Sequence, residues 1–135
     1  MTKRHFGIHG QALYVPPFRV SLEDWCEWTQ NPWTKVRKVV GSGFRVPGLH
    51  ENVYTMAANA ALRLIENYEI DPRKIGFLAL GTESSTDNAI GAVIVKGMIN
   101  EGLKKLDMPL LPNECEVPEI KQACLAGVYA LKAAI

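Results

Sequence analysis

Apolar residues recur every three or four positions through VYTMAANAALRLIENY. Val53, Met56, Ala57, Ala60, Ala61, Leu64, Ile65 and Tyr68 therefore predict a helix with one buried face. IGFLAL (75–80) has a different pattern, a short unbroken apolar run suited to a parallel strand covered on both sides. AIGAVIVKGMINEGLKKL (89–106) predicts a second long helix, CEVPEI (115–120) a strand, and ACLAGVYALKAAI (123–135) a last helix. Near the start, HFGIHGQALYVPP (5–17) alternates polar and apolar residues up to two prolines and predicts a strand with its exit. SLEDWCEWT (21–29) predicts a short helix, with Ser21 as N-cap and acids in the first turn. NPWTKVRKVVGSGFRVPG (31–48) is basic and interrupted by Gly and Pro, and reads as a surface loop with some helix.

Strand, helices, strand, helix, strand, helix is an α/β order with right-handed crossovers. The last helix stands apart, because Leu125, Val128, Leu131 and Ile135 among its alanines leave almost no polar face. A helix apolar all round is expected to be buried all round, as between two sheets in a layered fold.

Composition narrows the classes. The chain has 135 residues, 47% hydrophobic and 21% charged, with a formal net charge of +1. This is the balance of one globular domain and gives no charge-driven reason to bind nucleic acid or a membrane surface. Long apolar runs are broken by Lys, Gly or Asn, so no membrane span is expected. The start lacks a signal-peptide pattern, and the expected compartment is the cytoplasm, with reduced thiols. Cys26, Cys115 and Cys124, with His5, His9 and His50, lack metal-ligand spacing, and no metal site is expected.

The thiols differ in setting. Cys26 and Cys115 lie beside acids, where a thiolate is disfavoured. Cys124 follows Lys121 at the predicted start of a helix, where free N–H groups favour negative charge. Spacing alone leaves two readings open for it, a nucleophile or a small packing residue. Glu83 sits at the carboxyl end of an apolar strand, the edge at which open α/β sheets bind ligands. It can be a general acid/base or a solvated loop acid. Asp87 can cap the next helix. Trp33 and Arg37 are one helical turn apart, and could stack on adenine and pair with phosphate, or form a solvated basic surface.

GIHGQALYVPP, VYTMAANAALRLI, the GTES loop with its following Asp, and ACLAG occur in an order that resembles the amino-terminal part of the 3-hydroxy-3-methylglutaryl-CoA synthases, in the thiolase superfamily. The resemblance covers nearly the whole chain. It implies a layered α-β-α-β-α thiolase-like fold, of which residues 1–135 supply an amino-terminal portion, incomplete in this chain. It implies an acyl-CoA condensing enzyme in which Cys124 takes an acetyl group as a thioester. Glu83 then removes a methyl proton, and the enolate attacks acetoacetyl-CoA. Coenzyme A thioesters are substrates, and no cofactor is permanently bound. The implied partner is a second polypeptide carrying the rest of the fold and the family's histidine, with two such assemblies pairing near CEVPEI. Leu125 stands where many family members have Tyr. Two alternatives stay open: a β-branching synthase acting on acyl groups bound to a carrier protein, and a non-catalytic thiolase-fold scaffold that binds acyl-CoA or a partner enzyme.

Overall fold

A computed structural model describes residues 7–83, 85 and 87–135 of the chain, which divides into two units. One unit is Val15–Asn52. The other is Val53–Ile135 together with the amino-terminal segment as far as Tyr14.

The Val15–Asn52 unit contains β1 (Phe18–Ser21), α1 (Leu22–Thr29), α2 (Trp33–Val40) and β2 (Gly43–Val46). Ser21 caps α1 as expected: its hydroxyl accepts from the Asp24 N–H at 3.5 Å, and Glu23 and Asp24 lie at the positive end of the helix dipole. Leu22 and Cys26, four apart, are the buried residues of α1, so Cys26 is a packing residue. The Trp25 ring meets Phe44 edge-on at 5.9 Å. β1 and β2 pair antiparallel, with Phe18 opposite Val46 and Val20 opposite Phe44. The region read as a basic surface loop with some helix does contain a helix, α2, and adds a strand, β2, that was not expected. Its glycines do not prevent this, because Gly41 ends α2 with a φ of 83° and lets the chain turn into β2.

The second unit is built on α3 (Val53–Asn67) and α4 (Gly91–Lys105), which pack along each other. Their shared core is Ala58, Ile65, Val95, Ile99 and Leu103, with Leu111 from the following loop. Burying each of the larger aliphatic side chains is worth roughly 1.5–3 kcal/mol. The inward face of α3 includes Ala57, Ala61 and Ile65 of the predicted stripe and extends to Tyr54, Ala58 and Leu62, while Tyr68, at the predicted end, is exposed.

β3 (Leu80–Gly81) and β4 (Glu119–Ile120) pair parallel, with α4 between them in the chain, which forms a βαβ unit. The ladder extends further than the formal strands. Glu116 N–H donates to Gly76 O, Leu78 N–H to Glu116 O, Leu80 N–H to Pro118 O and Thr82 N–H to Ile120 O. It is interrupted because Pro118 has no N–H to donate. The predicted strands at 75–80 and 115–120 are thus correct in place and shorter in form.

The expected strand at 5–17 is not found. His5 and Phe6 lie outside the described residues, and residues 7–17 form no strand. Alternation identifies a face, but a strand also needs a neighbour for its backbone groups. This segment is instead held by side chains: Arg63 donates to Leu13 O at 2.9 Å and stacks over the Tyr14 ring at 4.9 Å.

The last helix, α5, is Ala126–Ala133 and starts two residues after Cys124. Ala123, at φ 44°, turns the chain before it. Ala126 and Ala130, one turn apart, are buried, while Leu125, Val128, Tyr129, Leu131 and Ile135 are exposed. The helix expected to be buried all round is covered here on one side only, because β3 and β4 pack against just that side. Among the described residues, no helix is long and apolar enough to cross a membrane.

Candidate active site

Two chain segments leave the parallel strands side by side. One follows β3 through buried Thr82 to Glu83. The other follows β4 through Lys121 to Cys124 and α5. Their close approach depends on Gly81. A Cβ there would lie 2.4 Å from Ala126 O and 2.6 Å from Gly127 N, so only glycine lets the first turn of α5 rest on β3.

The approach brings the two residues singled out above together. The Cys124 thiol donates to Glu83 Oε2 at 3.4 Å, across 41 positions of sequence. Both side chains are exposed. A thiol paired with a carboxylate at an open strand edge can form a covalent acyl adduct beside a group able to take or return a proton. The other two thiols are buried, and Cys115 sits with its Sγ 3.6 Å from Glu116 O. Among the described residues, no group of three His, Cys, Asp or Glu side chains could hold a metal ion.

The polar contacts of Lys121, whose sequence position suggests a place near the thiol, are with acidic residues. Its ammonium donates to the Asp87 carbonyl, and lies 3.4 Å from Asp87 Oδ1 and 3.6 Å from Glu119 Oε1. Around it is a polar cluster that the residue patterns did not reveal. Glu119, its side chain 0% exposed, accepts from the Ser85 hydroxyl at 3.1 Å and the Ala92 N–H at 3.3 Å. Asp87 accepts from the Tyr54 hydroxyl and, at 2.9 Å, from the Ile90 N–H, so it does serve the start of α4. The Tyr54 hydrogen bond holds the Asp87 carboxyl well below the usual range; Ile90 N–H and the Lys121 charge add to this, against the opposing effect of burial. The same bond, then burial and the charges of Asp87 and Glu119, push the Tyr54 phenol up to about 12.

Trp33 and Arg37 lie in the other unit, at the start and middle of α2, with the guanidinium 5.5 Å over the Trp33 ring. They share a face, as their spacing predicts.

No protein-family model matches the chain. Curated relatives do. A hydroxymethylglutaryl-CoA synthase of Pyrobaculum calidifontis is 31% identical over 132 residues, 96% of this chain and 35% of that protein. The hydroxymethylglutaryl-CoA synthase of Thermococcus kodakarensis is 30% identical over 136 residues, 98% of this chain and 34% of that protein. The chain matches the amino-terminal portion of the hydroxymethylglutaryl-CoA synthases. It spans about a third of the length of these curated relatives. Among solved structures, MvaS in complex with 3-hydroxy-3-methylglutaryl coenzyme A superposes with a TM-score of 0.79 at 30% identity, over 96% of this chain and 29% of that one. The 3-oxoacyl-[acyl-carrier-protein] synthase III of Aquifex aeolicus, at 20% identity, superposes with a TM-score of 0.67 over 93% of this chain and 37% of that one. The fold is the amino-terminal portion of a thiolase-like fold.

Proposed function

We propose that this chain carries the nucleophile and the proton-transfer group of a condensing enzyme of the hydroxymethylglutaryl-CoA synthase type. The observation that supports this most is the 3.4 Å contact between the Cys124 thiol and the Glu83 carboxylate. The thiol attacks the carbonyl of acetyl-CoA, a new S–C bond forms, and coenzyme A leaves as the free thiol with the proton that Cys124 gives up. Glu83 then takes a proton from the acetyl methyl group. The resulting enolate attacks the ketone carbon of acetoacetyl-CoA, and Glu83 returns its proton to the new alkoxide. Water cleaves the Cys124 thioester and releases the product. Trp33 and Arg37 form a face suited to an adenine ring and a phosphate, and we assign them to coenzyme A recognition.

The exposed apolar residues of α5 support a further element of the proposal. They are covered in the working protein by the part of the fold that residues 1–135 do not span, with two such assemblies pairing along the 115–120 strand.

The test separates the two half-reactions. Glu83→Gln is expected to accept an acetyl group on Cys124 and to lose carbon–carbon bond formation by about 10²–10⁴-fold, the range for one general acid/base. Near-normal condensation by this variant would remove Glu83 from the role.

A further inference from the structure

The backbone ladder that fixes the two site-bearing segments ends at Thr82 N–H and Ile120 O. Beyond it, the connection that carries Glu83 is held to the Cys124 side by side chains. Ser85 is bonded to Glu119, two residues beyond Glu83, and Asp87 is bonded to Lys121. Both anchors, Glu119 and Lys121, belong to the short run that leads into Cys124. The two carboxylates are enclosed, with side-chain exposures of 0% for Glu119 and 12% for Asp87, and the Lys121 ammonium lies between them. Without that cation, two enclosed negative charges would face each other, and each would favour any rearrangement that separates them.

We propose that Lys121 is a positioning residue. By bridging Asp87 and Glu119 it clamps the Glu83-bearing connection onto the Cys124-bearing one, and so sets the distance between carboxylate and thiol. The inference deepens the functional reading above and takes its purpose from it. Lys121 touches neither reacting atom; it acts through the two segments it joins.

The test is the ratio of Cys124 alkylation rates by iodoacetamide and by anionic iodoacetate, measured at one pH by peptide mass on the full chain in its native assembly. The ratio cancels the ionisation of the thiol itself and reports negative charge beside it. A carboxylate ~6 Å from the incoming anion slows iodoacetate about threefold in water. The ratio in the wild type is therefore expected to be about threefold above that in Glu83→Gln. In Lys121→Met the clamp opens and the ratio falls to the Glu83→Gln value, and adding Glu83→Gln to it changes nothing more. Lys121→Arg keeps the wild-type ratio.

A cation that acted only through its charge would give the opposite sign, a higher ratio in Lys121→Met. That result, or an unchanged ratio, overturns the proposal, as does a wild-type ratio equal to that of Glu83→Gln. If Lys121→Met does not fold, the charge-neutral pair Asp87→Asn/Lys121→Met decides the matter, with a fall supporting the clamp and no change refuting it. Alkylation needs neither acetyl-CoA nor turnover. A failure of acyl transfer would thus count against the proposed function and leave this result standing.

Discussion

Replacing Gly81 by alanine adds a single methyl group at the point where β3 and α5 meet. The added Cβ would lie 2.4 Å from Ala126 O, 2.5 Å from Ala126 C and 2.6 Å from Gly127 N. All three are backbone atoms, so no side chain can rotate away. Reaching an ordinary contact of 3.4 Å requires α5 to withdraw by 3.4 − 2.4 = 1.0 Å. Overpacking of this kind costs about 1–3 kcal/mol. With a urea dependence of about 1–3 kcal/mol per molar, the midpoint of unfolding should fall by about 1 M. The withdrawal also opens the 3.4 Å contact between Cys124 and Glu83. Gly97→Ala is the control. It lies inside α4 with nothing within 4 Å of its added methyl group, and it should raise stability by about 0.5–1 kcal/mol through helix propensity. Urea unfolding of both variants in the native assembly measures the two signs. A Gly81→Ala midpoint equal to or above wild type would refute the claim that glycine is needed for the approach.

Spectrophotometric titration should show one tyrosine ionising near pH 12, absent in Tyr54→Phe. Its raised value means that its contribution to stability is intact below its ordinary 10.0 and is lost as pH rises through about 12; a titration identical in the two proteins would contradict this. Asp87 is depressed, so the sign reverses: its contribution is present above the usual carboxylate range and is lost as pH falls below it. Asp87→Asn should therefore lose less stability than wild type between about pH 4 and about pH 2, and parallel acid curves would count against the assignment. Arg37→Glu should raise the KM for coenzyme A thioesters with kcat little changed, and an unmoved KM would return Trp33 and Arg37 to a solvated surface.

Both long helices were legible in the sequence, α3 from its three-to-four-residue period and α4 as an unbroken helical run over 89–106 that the structure realises as Gly91–Lys105. The Ser21 cap was legible because it depends on four consecutive residues. What was not legible depended on partners distant in sequence. Alternation before Pro16 marked a face that finds no strand among the described residues. The basic stretch from Asn31 concealed β2, whose partner, β1, precedes it by two helices. In the site, Glu83 and Cys124 were recognisable as candidates from strand-edge and helix-start positions, but their meeting requires the β3–β4 register and the missing side chain at Gly81. Lys121 was misdirected: its position three residues before Cys124 suggested a place near the thiol, whereas its ammonium pairs with Asp87, a partner distant in sequence, and with Glu119.

The central claim is that Cys124 becomes acylated next to Glu83. The direct measurement is to incubate the complete assembly with acetyl-CoA alone, quench in acid, digest, and locate the added acetyl group by peptide mass. The account predicts one acetyl group on the peptide containing Cys124, absent in Cys124→Ser and retained in Glu83→Gln. Acetyl label elsewhere with Cys124 unmodified, or equal turnover by wild type and Cys124→Ser, would contradict it.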